Sequence, residues 1–160
     1  MINDALERLG LALPPPASPP PGFEFHFEPV RIRKDRVLVA GHMPQAADGS
    51  LCGPFGKVPS EVSLTRAQQS ARDTAMSILA SLNQALGSLD RIESWLVVQG
   101  FVNADPGFAQ TTHVLDAFSD RIVDIFGSDV GAHARTAVGV AALPMNSCVI
   151  VAAEVEIRSS

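Results

Sequence analysis

The sequence contains no tyrosine and a single tryptophan, and aromatic residues make up 6% of its 160 positions. With so few rings, the 46% of hydrophobic residues is chiefly aliphatic, and a core of Val, Ile, Leu and Ala is expected. Basic residues are also scarce, 12 against 17 acidic ones, for a formal net charge of -5. No basic stripe interleaved with aromatics is present, which argues against tight binding of a nucleic-acid backbone. No apolar run approaches the ~18 residues of a membrane span. The opening "MINDALERLG" is acidic and amphipathic, unlike the basic-then-apolar start of a secretory signal. Cys52 and Cys148 lie far apart and form no CxxC pair, so two free thiols in a cytoplasmic protein are expected. His26, His42, His113 and His133 show no metal-ligand spacing, and no metal is expected.

The length suits one domain. Residues 2–10 read as a short helix ending at Gly10, followed by the extended connector "PPPASPPPG" at 14–22. This divides the chain into an N-terminal extension, 1–22, and a body, 23–160. "FEFHFEPVRIR" (23–33) alternates apolar and polar residues and predicts a half-buried strand, paired as a hairpin with "RVLVAGHMP" across the turn "KDR". Residues 45–63 form a loop rich in turn residues. Leu64, Ala67, Ala71, Ala75, Ile78, Leu82 and Leu86 then recur at helical spacing, with Thr65 and Gln68 as a candidate capping box and Gly87 as the stop. A branched, apolar central strand follows at 91–103. Asp105 and Pro106 read as the start of a second helix that closes at Gly127. Strands at 134–143 and 148–158, joined by "PMNS", end the chain. The order β-β-α-β-α-β-β predicts an α+β fold: one mixed sheet with both long helices on a single face. The bare face looks too apolar for water, and oligomerisation through it is the simple remedy.

One arginine stands out. Arg135 opens "RTAVGVAAL", a strand otherwise small and apolar. Side chains alternate across a strand, so Arg135, Ala137, Gly139 and Ala141 share one face, while Thr136, Val138 and Val140 share the other and read as core. Small neighbours leave space beside a guanidinium, whose planar fork fits a carboxylate. A partly buried arginine needs a counter-charge. Two partners remain open: an acid of the chain, such as Glu154 or Asp116, or an anionic ligand.

Taken together, "GAHARTAVGVAALP", "VLVAGHMP" and "SARDTAMSILASLNQALGSLDRI" resemble the YjgF/RidA superfamily. The likeness is strongest to its longer, chorismate-mutase-like branch named for endoribonucleases, and it runs from about residue 23 to 158. The resemblance implies a bacillus-type chorismate-mutase-like fold and a homotrimer with ligand clefts between subunits. It implies cofactor-free hydrolysis of reactive 2-imino or 2-enamino acids to 2-keto acids and ammonia. Arg135 falls at the family's carboxylate-binding arginine, and the Ala137 backbone at the group that meets the imine. Thr112 falls at its asparagine, Ala40 at its serine and Phe27 at its aromatic. The glutamate thought to position water falls at Ile150. Glu154 lies four residues on, about 13 Å along a strand. Water attacking an imine carbon needs a nearby acceptor, and His42, His133 and Glu154 are the candidates.

Three functions follow as expectations: an imine or enamine hydrolase, a non-catalytic trimer that binds a small carboxylate-bearing metabolite, and, third, a ribonuclease. Net charge and the lack of a general-base pair count against the last. "GPFGK" (53–57) is not a phosphate loop, because Leu51 and Val58 occupy the required Gly and Ser/Thr places. It reads as a flexible loop and candidate lid. Asp116, Asp120 and Asp124 recur every four residues and read as a solvated helix face.

Overall fold

A computed structural model describes residues 1–159. Its long elements are α1 (Ile2–Arg8), β1 (Val30–Arg33), β2 (Arg36–His42), α2 (Leu64–Leu86), β3 (Ile92–Asn103), α3 (Thr111–Val130), β4 (Ala134–Val140) and β5 (Val149–Ile157). The strands form one mixed sheet in the order β1-β2-β5-β3-β4, in which only β3 and β4 run parallel. α2 and α3 cover one face, as expected. On the other face Leu38, Val97 and Val138 are exposed. Among the described residues no helix is long and apolar enough to cross a membrane.

The alanine stripe of α2 works as its spacing implies. Ala67, Ala71 and Ala75 are fully buried, so the helix backbone lies close on the sheet. α3 comes equally close at Gly100 of β3, where a Cβ would stand 2.3 Å from Leu115 Cγ. The core closes around Trp95, with Phe118 and Phe126 edge-on to its ring at 6.3 and 5.6 Å.

Several expectations need correction. The first strand spans only Val30–Arg33; the alternating "FEFHFEP" before it is irregular. Its phenylalanines form a wall instead, with Phe25 and Phe27 stacked at 4.8 Å. α2 is capped by Ser63, whose Oγ accepts from the Arg66 N–H, while Gln68 reaches across to the His113 carbonyl. α3 begins at Thr111, because Asp105 is engaged elsewhere: its carboxylate accepts from the Ser60 N–H and hydroxyl. A left-handed Gly127 breaks α3, as its sequence position suggests, but a last turn runs on to Val130. Loop 53–58 is no free lid. Gly56 and Val58 donate to the Asn146 and Asn103 carbonyls, and Val58 accepts from the Asp105 N–H.

The main correction concerns β4. Ala137 packs against the core and a Cβ on Gly139 would meet Ala104 and Thr111, so Arg135, Ala137 and Gly139 face the helices. Val138, read as core, is 39% exposed on the bare face. A two-residue period fixes which residues share a face but not which face is buried.

The N-terminal segment is fastened to the body. The Ile2 N–H donates to Asp90 Oδ1, Leu6 joins the core, and the Ala17 N–H donates to Ser81 Oγ on α2.

Candidate functional site

Two groups of candidate residues form on one chain. The first lies where edge strand β4 meets α3. Arg135 Nη2 donates to Asp116 Oδ1 at 2.8 Å and to the Thr112 carbonyl at 3.4 Å, while Nη1 donates to Ser119 Oγ at 2.9 Å. Thr112, Asp116 and Ser119 are spaced at i, i+4 and i+7, so one stripe of α3 supplies all three acceptors. The guanidinium is thus held by a single carboxylate oxygen and two neutral oxygens. Its side chain is 18% exposed, against 47% for Asp116. Hydrogen bonding to Arg135 holds the Asp116 carboxyl below the ordinary carboxylate range, and His113 adds to the effect. Of the two acids open from sequence, Asp116 is the partner.

His133 belongs to the same group. Its Nδ1 donates to the Gly131 carbonyl, which leaves Nε2 to accept from the Ser119 hydroxyl at 2.9 Å. Both ring nitrogens are engaged. Thr112 contributes its backbone rather than its hydroxyl, and the Ala137 carbonyl accepts from Thr111 Oγ1.

The second group lines a cavity of about 490 Å³ beside the β2–β5 seam. Phe23, Phe27, Met43, Met145 and Ile150 make its walls mostly apolar, and Ala17, Ser18 and Pro20 bring the proline-rich segment to its rim. Gly41 is required here because a Cβ would stand 2.8 Å from Ile150 Cγ2. His42 also lines the cavity, but its ring is committed. Nδ1 donates to the Ala40 carbonyl at 2.6 Å, and Nε2 accepts from the Ser81 hydroxyl at 2.8 Å. Ala40 therefore acts through its carbonyl, holding the ring. Burial pushes the His42 pKa below its ordinary value of 6.5, partly opposed by the Ala40 bond, so the ring is neutral.

Glu154 joins neither group. It pairs in register with Val97 on the bare face, opposite to Arg135, and its Oε1 accepts from Arg36 Nε at 2.6 Å. Ile150 lies four residues before it on the cavity wall, without an acceptor. Ser119 and Glu24 were not singled out from sequence. Ser119 was legible as one turn beyond Asp116. Glu24, on the cavity wall, became visible only once "FEF" proved not to be a strand. Among the described residues, no three His, Cys, Asp or Glu side chains are grouped to hold a metal.

The His42 arrangement sets a pH dependence. A histidine whose folded pKa is lowered contributes stability above its unfolded pKa, and that contribution is lost as pH falls. Between about pH 6.5 and the lower folded value, the unfolded chain binds a proton that the folded chain does not. The stability measured by urea unfolding should therefore fall from pH 7.5 to 5.0, with His42 contributing at most about 1.4 kcal/mol per pH unit. His42→Gln should be less stable at pH 7.5 and flatter across this range. An equal slope in the variant would assign the dependence to other groups.

A family model for "YjgF/chorismate mutase-like, putative endoribonuclease" matches residues 7–157. Protein TCP17 of Trypanosoma cruzi is 34% identical over 155 residues, covering 96% of this chain and 92% of that protein. The Agrobacterium tumefaciens protein Atu1372, of unknown function, superposes with a TM-score of 0.86 at 33% identity, over 98% of this chain and 92% of that one. A Shewanella oneidensis structure titled a "putative endoribonuclease" superposes at 0.87 with 25% identity, over 98% and 99%.

Proposed function

The chain belongs to the YjgF/chorismate mutase-like family, and from that premise we propose that it binds a small 2-keto or 2-imino acid in a cleft completed between copies of the chain. The observation that carries this reading is the state of Arg135. Its guanidinium is largely buried at a sheet edge, yet only one oxygen of a half-exposed aspartate meets it. A ligand carboxylate can replace Asp116 and engage the fork with both oxygens, a stronger, two-pronged contact. Asp116, once displaced, rehydrates at little cost. The cavity on the other side of the sheet order holds no such cation on its walls. One protomer's Arg135, Ala137 and Thr112 would thus serve the carboxylate end. Its neighbour's Phe27, Ile150 and His42 would enclose the remainder. A homotrimer, as the family resemblance implies, supplies three such clefts.

A second reading, hydrolysis, is favoured by one observation: Glu24 is among the residues that line the cavity. Water would add to the imine carbon while an acceptor takes one of its protons and passes it to the nitrogen. The remaining hydroxyl proton would then move to the nitrogen as the C–N bond breaks, so that ammonia leaves and the 2-keto acid remains. Ile150 cannot be that acceptor, Glu154 is held by Arg36, and His42 is neutral with both nitrogens bonded. Glu24 is the acidic residue in the cavity lining.

Calorimetry with 2-oxobutyrate tests the binding reading: saturable binding is expected, and its absence would overturn it. Trapping tests hydrolysis. An amino-acid oxidase generates the imine, semicarbazide captures it, and an active protein slows semicarbazone formation. No slowing by excess protein, for any amino acid supplied, removes hydrolysis and leaves binding standing.

A further inference from the structure

We propose a second ligand site on this chain: a groove lined by Lys57 and Asp105 that takes the zwitterionic head of a free α-amino acid. The groove, about 520 Å³, is also lined by Pro106, Phe108 and Val140 and by two glycines, and Arg135 is not on its wall. Its cation is fixed in place. Lys57 Nζ donates to Asn103 Oδ1 at 2.9 Å and to the Ala141 carbonyl at 2.5 Å. Asn103 is itself 1% exposed, and its amide donates to Asn146 Oδ1, so this anchor does not move freely. An ammonium carries three N–H donors. Two are spent on neutral oxygens, and among the described residues no carboxylate lies within ion-pair distance of Lys57. One donor and a full positive charge remain for a ligand.

The groove's anion is fixed as well. Asp105 Oδ2 accepts from the Ser60 N–H at 2.8 Å and Oδ1 from the Ser60 hydroxyl at 2.9 Å. Each carboxylate oxygen can accept more than one hydrogen bond, so both keep capacity. These Ser60 bonds hold the carboxyl below its ordinary range, with Lys57 contributing, and it stays ionised at neutral pH.

A wall that carries one fixed cation and one fixed anion discriminates by charge pattern. A plain carboxylate gains Lys57 but meets the charge of Asp105; an amine does the reverse. An α-amino acid offers an ammonium to Asp105 and a carboxylate to Lys57, and leaves neither unpaired. Room for its side chain exists. At Gly107, with φ of +83°, a Cβ would find nothing within 4 Å, and Phe108 and Val140 provide apolar surface.

The test is calorimetric titration of the intact protein with L-leucine and, separately, with 4-methyl-2-oxopentanoate, which lacks the ammonium. Saturable L-leucine binding is expected, weakened at least about tenfold in Asp105→Asn and kept within about threefold in Asp124→Asn, which removes the same charge from an exposed position of α3 that is not on the groove wall. Arg135→Ala should leave L-leucine binding unchanged while weakening the keto acid, which separates this site from the cleft above. No saturable L-leucine binding up to about 10 mM would overturn the proposal. Unaltered binding in Asp105→Asn, equal losses in Asp105→Asn and Asp124→Asn, or loss in Arg135→Ala would overturn it too.

Discussion

Replacing Gly100 with alanine is expected to destabilise the protein by about 3 kcal/mol, the upper part of the range for overfilling a packed core. The added Cβ would stand 2.3 Å from Leu115 Cγ and 2.5 Å from Cδ1, and Leu115 is fully buried. The leucine cannot simply turn aside, so α3 must lift off β3. That helix also carries Thr112, Asp116 and Ser119, the acceptors around Arg135, so the site should loosen with the core. For a chain of this size the loss corresponds to a fall of about 10 °C in Tm. Thermal and urea melts check it, and the Gly100→Ala/Leu115→Ala double variant should lose less than the sum of the two single losses, since the two positions share one space. A cost below about 1 kcal/mol would mean that the helix has slack that the geometry denies.

Arg135→Ala is expected to weaken 2-oxobutyrate binding at least about 100-fold, the order of about 2.7 kcal/mol for a two-pronged, charge-assisted contact. Folding should survive. The partner left behind, Asp116, is already 47% exposed and returns to water. An ion pair that open contributes at most about 1 kcal/mol. Arg135→Lys keeps the charge and loses the fork, and an intermediate loss of about tenfold is expected. Asp116→Asn has the opposite sign. With the internal carboxylate gone, a ligand no longer competes for the arginine, and affinity should rise about threefold. Calorimetry on the four proteins, alongside their melting curves, decides the matter. If Arg135→Ala unfolds the protein and binding in Asp116→Asn is unchanged, the arginine is a structural tie.

Much of this arrangement is legible in the sequence. The helical spacing of Ala67, Ala71 and Ala75 marked the inner face of α2, and the chain order of elements gave the layer architecture. Arg135 was conspicuous because a charged fork opens a run of small residues. The errors have local causes. "FEFHFEP" alternates like a strand, yet Phe25 and Phe27 stack on one another and wall a cavity instead of pairing with a neighbour. Asp105 has a helix cap's chemistry but gives its oxygens to Ser60, 45 residues away in the chain, so α3 starts at Thr111. The competition between local and distant hydrogen-bond donors cannot be read from a window of sequence.

The sequence by itself determined the elements, their order, the aliphatic core and the identity of the arginine that the ligand reading turns on. Only the tertiary structure decided that Arg135 meets α3, that Asp116 rather than Glu154 holds it, and that the Arg135 group and the apolar cavity sit apart on one chain. The physical reason is that a strand's alternation names two faces without saying which one is covered. That choice is made by where the helices come down on the sheet, as α3 does at Gly100.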